Sequence, residues 1–148
     1  MNENIMKLQT DLGNFLVSAL ATSDWSKIIV FYAEVGNISQ SQCDYIDSAG
    51  ETQHASMPVG ALDILEEMKS AFSQEGRGTW LSAEVTVDRS TTEIKLKFNY
   101  DDKPNWHIEP QPENYLLDLQ RYPRTEVGIP EWYPKFEDYP NWQDELSR

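Results

Sequence analysis

Residues 79–100 read TWLSAEVTVDRSTTEIKLKFNY, and this stretch decides the fold. From Thr79 to Val87 the odd positions Leu81, Ala83, Val85 and Val87 are apolar, while Ser82, Glu84 and Thr86 alternate with them. From Thr92 to Tyr100 the even positions Ile94, Leu96, Phe98 and Tyr100 are apolar, against Glu93, Lys95 and Lys97. A period of two sends successive side chains to opposite faces, so each run reads as a strand with one buried face. Asp88-Arg89-Ser90-Thr91 joins the two runs, which predicts an antiparallel hairpin.

Upstream, Pro58 stands where a first helical turn tolerates it, and Val59, Leu62, Leu65, Met68 and Phe72 follow at helical spacing. Glu66, Glu67 and Lys69 are expected on the wet side of that helix, with Gly76 as its C-cap. Residues 47–54 read as a polar loop. Trp25 to Val35 is rich in β-branched and aromatic residues, with Ile29, Phe31, Ala33 and Val35 on one side and Ile28, Val30 and Tyr32 on the other. Two apolar faces predict a central strand covered on both sides. Gly36-Asn37 signals a tight turn into a more polar returning strand, Ile38 to Ile46. Residues 4–21 place Ile5, Leu8, Leu12, Phe15, Leu16 and Ala19 on one helical stripe, and Thr22-Ser23-Asp24 ends it. The order predicts one α+β domain over residues 1–148: an antiparallel sheet of about four strands in two hairpins, packed with N-terminal and central helices.

Downstream, residues 100–133 break at Asp101-Asp102-Lys103-Pro104, make a short helix from about Pro112 to Tyr122, and leave through Pro123 and Pro130 toward Pro134. Proline fixes φ and donates no hydrogen bond, so this density predicts rigid irregular loops. Tyr100, Trp106, Tyr115, Tyr122, Trp132 and Tyr133 carry enough apolar area to dock the stretch on the sheet. Trp142 hints that the last ten residues dock as well. The expectation is a short C-terminal helix and a Pro/aromatic-rich tail forming an acidic surface.

Charge narrows the partners. The chain has 25 acidic against 12 basic side chains, a net charge of -13. Such a field repels nucleic acid and anionic membranes and attracts basic proteins. No apolar run approaches the roughly 18 residues of a membrane span, and Met1-Asn2-Glu3-Asn4 is no basic leader, so a cytoplasmic location is expected. Asn37-Ile38-Ser39 matches a glycosylation acceptor, which has no weight without export.

Catalytic patterns are weak. Cys43 is the one cysteine and reads as a small buried hydrophobe, so neither a disulfide nor a zinc pattern is expected. His54 and His107 are far apart in sequence, and Gly76-Arg77-Gly78 lacks the lysine and hydroxyl residue of a phosphate loop. Asp101, Asp102, Glu109 and Glu113 could offer oxygen ligands, but calcium-loop spacing is missing. No metal, cofactor or catalytic residue is expected.

The pieces Tyr100-Asp101-Asp102-Lys103-Pro104-Asn105-Trp106, Pro112-Glu113-Asn114-Tyr115, Asp118-Leu119, Tyr122-Pro123-Arg124 and Ile129-Pro130-Glu131-Trp132-Tyr133 resemble the YezG/EsaG-like family of small bacterial immunity proteins, or antitoxins. Gly78-Thr79-Trp80 opening the second hairpin, and the helix–hairpin–helix–hairpin order, are also similar to that family. The resemblance implies a protein that binds and neutralises a cognate polymorphic toxin domain, with nuclease domains as the characterised targets. A nuclease cleft must be basic, so an acidic partner suits it. The expected contact residues are Asp101, Asp102, Trp106, Glu109, Glu113, Asp118, Glu126, Glu131 and Trp132. Asn105-Trp106, Pro123-Arg124 and Ile129-Pro130 are expected to clasp that surface in place. The rival readings are an acidic regulatory module for another basic protein and a small carboxylate-dependent hydrolase.

Overall fold

The computed structural model describes residues 3–147. Helix α1 (Glu3–Ala19) leads into strands β1 (Trp25–Val35), β2 (Ile38–Asp47) and β3 (Thr52–Ala55). Helix α2 (Val59–Ala71), strands β4 (Ser82–Asp88) and β5 (Ile94–Asn99), and helices α3 (Pro112–Arg121) and α4 (Trp142–Leu146) follow. The strands form one antiparallel sheet in the order β3-β2-β1-β4-β5, so the two hairpins meet where β1 pairs with β4. The fold is α+β, as the alternation predicts.

The fifth strand is β3, which overlaps the end of the stretch expected to be a polar loop, residues 47–54. Asp47 makes the turn: its carboxylate accepts the backbone N–H groups of Ala49 and Glu51, and Gly50 takes φ 82. Residues 52–55 then pair with 43–46. A short edge strand is held by backbone hydrogen bonds, so Thr52-Gln53-His54-Ala55 needs no apolar alternation to form it.

One face of the sheet is covered by α1 and α2. Leu8, Leu12, Leu16 and Leu20 from the first helix and its exit, and Ala61, Ile64, Leu65 and Met68 from the second, bury Ile28, Val30, Tyr32, Ala83, Val85 and Val87. Phe72, Phe98 and Trp80 stack in sequence beside them, with ring centroids 4.6 and 5.5 Å apart. Not every stripe residue is buried. Phe15 stays half-exposed with its ring lying over Gly60, where a Cβ would meet it at 2.5 Å, and Val59 and Ala19 are exposed.

The opposite face of β1 is covered at one end only. Val35 and Ala33 are buried, but Ile29 and Phe31 are half-buried among Gln42, Asp44 and Glu84. Expecting cover on both sides over the whole strand was therefore too broad. An antiparallel sheet tolerates water on one face, and here Gln42 and Asp44 of β2 and Glu84 of β4 make that part of the face polar.

The larger correction concerns Lys69, which is fully buried. It lies one turn beyond Leu65 on the core side of α2, and its ammonium meets three polar partners and two aromatic rings. It donates to the carbonyls of Glu34 and Trp80, each at 2.8 Å, and lies 3.1 Å from the carboxylate of Asp118. The Trp80 and Tyr122 rings flank it at 5.8 and 5.6 Å. Burial holds its pKa below the ordinary lysine value, against the pull of Asp118 and Glu34. One side chain thus joins α2, β1, the segment leading into β4, and α3.

Beside this junction, burial raises the carboxyl pKa of Glu34. Glu66 and Asp118 add to the rise, while a hydrogen bond from the Tyr32 hydroxyl and the charge of Lys69 oppose it. A raised carboxyl contributes stability that is complete below its unfolded value near 4.5 and is lost as pH rises through its folded value. The turn carboxylates behave oppositely. Backbone hydrogen bonds, led by that of Glu51, lower Asp47, and the Ser90 hydroxyl lowers Asp88, so their contribution is present above 3.8 and lost as pH falls through their folded values. Stability to urea is expected to rise as pH drops from neutral toward about 4.5, and to fall below about 3.8. Glu34→Gln should flatten the rise and leave the fall. An unchanged rise in that variant would remove Glu34 as its source.

Candidate protein-interaction surface

The C-terminal third is built on α3. Pro112 occupies the first turn, where its missing N–H costs nothing, and Glu113 sits at the positive end of the helix dipole. Tyr115 and Leu119 pack against Val35 and Leu81, and Tyr133, Trp106, Ile129 and Trp132 join them in a second, smaller core. The rings of Tyr115, Trp132 and Tyr133 meet pairwise at 5.1–5.5 Å. The tail therefore docks on the sheet, as its aromatic content predicts. At its far end Trp142 contacts the Phe136 ring at 5.6 Å, and α4 packs against α3.

Three polar residues of α3 grip the β1–β2 turn. The Asn114 side-chain oxygen accepts the N–H of Asn37, and Asp118 accepts that of Gly36, both at 3.1 Å. Arg121 donates to the carbonyl of Gly36 and the side chain of Asn37, both at 3.0 Å. Gly36 is required here twice over, because its φ is 57 and a Cβ would lie 2.6 Å from the carbonyl oxygen of Asn114. A polar row at spacing i, i+4, i+7 was visible in the sequence, but nothing local tied it to a turn some 80 residues earlier.

Arg124 is the second clasp. Its side chain is 4% exposed, and its guanidinium donates to the carbonyls of Tyr100 (2.5 Å), Thr79 (3.3 Å) and Gly128 (3.2 Å) and to the carboxylate of Asp101 (3.2 Å). Gly78, at φ 71, lets the chain pass beneath it, since a Cβ there would stand 2.9 Å from Arg124 Cγ and from the Tyr122 carbonyl. This matches the clasp expected of Pro123-Arg124.

The predicted contact residues separate into three groups. Asp101 and Asp102 are exposed at the end of β5; the carbonyl of Asp101 also accepts the indole N–H of Trp132 at 2.8 Å. Trp106 and Glu109 converge on Tyr115: the Trp106 indole donates to the Tyr115 hydroxyl at 2.9 Å, and that hydroxyl donates to Glu109 at 3.4 Å. Glu109 also pairs with Lys103 at 3.0 Å, and Glu113 is half-buried nearby in α3. Glu126 and Glu131 are exposed and line a single groove of about 810 Å³.

Asp118 belongs to none of them. It is 4% exposed, and both its oxygens are engaged by Gly36 and Lys69. It is a core residue that holds α3, not a carboxylate offered to a partner. Trp106 and Trp132 are half-buried, with their indole N–H groups committed inside the tail. They frame the surface rather than stand out from it.

Other reactive groups lie outside this surface or are spent. Burial pushes the Cys43 thiol up to about 11, so it is no thiolate at neutral pH. His54 pairs with Asp44 across β3 and β2 at 2.6 Å, while the backbone of His107 is held by Gln40. Among the described residues no group of three or more histidine, cysteine or acidic side chains is placed to hold a metal, and no helix is long and apolar enough to cross a membrane.

The sequence matches no protein-family model and no curated protein. The tail combines fixed aromatics and prolines, two internal clasps, and exposed carboxylates.

Proposed function

We propose that this chain is a cytoplasmic immunity protein that binds a cognate toxin domain, a nuclease, and neutralises it by covering its basic substrate cleft. The observation that carries this reading is the clasped tail. It displays Asp101, Asp102, Glu109, Glu126 and Glu131 as exposed carboxylates on a rigid frame, in a chain of net charge -13. Prolines and clasps restrict the frame before any partner arrives, so less ordering is left for association to pay for. Opposite fields steer encounter, and rates on the order of 10⁸–10⁹ M⁻¹s⁻¹ at low salt are within reach. That matters to a protein that must meet a nuclease before nucleic acid does. The reading needs no chemistry from the chain itself.

The test is to look for a toxin domain at the end of an adjacent gene and to co-purify that domain with this chain, followed by stopped-flow association and a nuclease assay. The wild-type pair should associate at moderate salt with the nuclease inhibited. Neutralising Asp101, Asp102, Glu109 and Glu113 together as amides should slow association about tenfold or more at low salt and flatten its salt dependence; the urea midpoint should fall only slightly, because the Asp101–Arg124 and Glu109–Lys103 pairs are solvent-exposed on the acid side and the amide oxygens still accept. A pair that does not associate, or a nuclease still active when bound, would sink the proposal.

A further inference from the structure

The groove that holds Glu126 and Glu131 extends past the expected contact residues. Its walls are set by Ile129, Pro130, Pro134 and Phe136, with the buried Leu119 and Tyr133 beneath. Phe136 is 41% exposed even though it packs on Trp142, so the groove keeps an unfilled apolar side. Glu126, Glu131 and Glu137 are exposed and stand around it, and among the described residues that line it Lys135 is the cation. Two short 3-10 turns, Glu126–Gly128 and Phe136–Asp138, and the two prolines fix its shape.

An apolar recess with a charged margin is the anatomy of a protein-binding surface, in which a side chain fills the recess and charges at the rim select the partner. Charge decides among the occupants. A second copy brings another net charge of -13 and its own carboxylates, and a nucleic acid brings phosphates, so both are repelled. A neutral apolar molecule would leave the three glutamates without a role. A cationic segment with one apolar side chain satisfies both parts.

We infer that this groove docks a lysine- or arginine-rich segment of a partner protein, with one large apolar side chain seated between Ile129 and Phe136 and flanking cations facing Glu126, Glu131 and Glu137. The inference rests on the immunity reading only for which protein carries the segment.

The test uses the full chain and two synthetic peptides: a run of lysines with one central tryptophan, and the same peptide with glycine in its place. In an NMR titration at physiological salt, the tryptophan peptide should shift Ile129, Tyr133 and Phe136 and bind about tenfold tighter than the glycine peptide, roughly what burying one large apolar side chain supplies. Glu126→Gln/Glu131→Gln/Glu137→Gln should weaken it about tenfold and reduce its salt dependence. Equal binding of both peptides, or shifts scattered over all acidic surfaces or centred on Ile29 and Phe31, would overturn the inference. So would a concentration-dependent dimer that closes the groove without peptide. If the peptide seats there but no toxin domain binds the chain, the immunity reading fails and the groove stands. If the toxin domain binds the triple variant at the wild-type rate, the groove fails and the immunity reading stands.

Discussion

Lys69→Ala is expected to destabilise the protein by about 3–5 kcal/mol, read as a large drop in the urea midpoint. The substitution removes the cation 3.1 Å from Asp118 and leaves that carboxylate charged in a site 4% exposed. It also strips a donor from the carbonyls of Glu34 and Trp80, and it opens a cavity between α2 and β4. A typical domain has about 5–15 kcal/mol in all, so the variant will sit near its unfolding threshold. Asp118→Asn is the milder probe, because an amide oxygen can still accept the Gly36 N–H. Combining Lys69→Met with Asp118→Asn removes both charges while keeping most of the volume and that hydrogen bond. The double variant should therefore lose less than the sum of the losses of Lys69→Met alone and Asp118→Asn alone, by about 1–3 kcal/mol. Strict additivity would show that the pair is not coupled.

The second large effect is expected at Arg124. Arg124→Ala leaves the carbonyls of Tyr100, Thr79 and Gly128 without the donor they share and removes the cation over the Tyr133 ring at 5.9 Å. Unmet polar groups at buried sites cost about 1–3 kcal/mol each, and water will reach some of these, so a total of about 3–4 kcal/mol is expected. Arg124→Lys should recover little of it, because an ammonium cannot present a planar fork to several acceptors at once. The loss should also be local. Hydrogen exchange should quicken from Tyr122 to Tyr133 and at Tyr100, while β1 and α2 keep their protection. If the proposed immunity function holds and the tail carries the interface, association with a toxin domain will weaken in the same variant. Uniformly faster exchange across the sheet would mean that Arg124 supports the whole fold and not the tail alone.

These two residues also mark the border between what was legible in the sequence and what was not. The alternation of 79–100 and the helical stripes of α1 and α2 are local periodicities, and they were enough to determine the α+β class, both hairpins and most of the principal core. The same periodicity could not see β3, whose edge position requires backbone pairing and a turn carboxylate rather than an apolar pattern. Prolines and aromatics likewise announced an ordered tail, and Pro123-Arg124 its clasp.

What the sequence left open was the role of each charge. Lys69 and Asp118 are 49 residues apart and stand among solvated charges in their own helices, so each reads locally as a surface residue. Only the packing of α2 and α3 on the same end of the sheet brings them together. A charge enters a core only if a partner from elsewhere in the chain meets it there, and composition contains no record of that meeting. For the same reason the count of acids determined the sign of the surface, while tertiary structure decided which acids face outward. Asp101, Asp102, Glu109, Glu126 and Glu131 are displayed between the clasps, and Asp118 is spent holding the tail to the sheet.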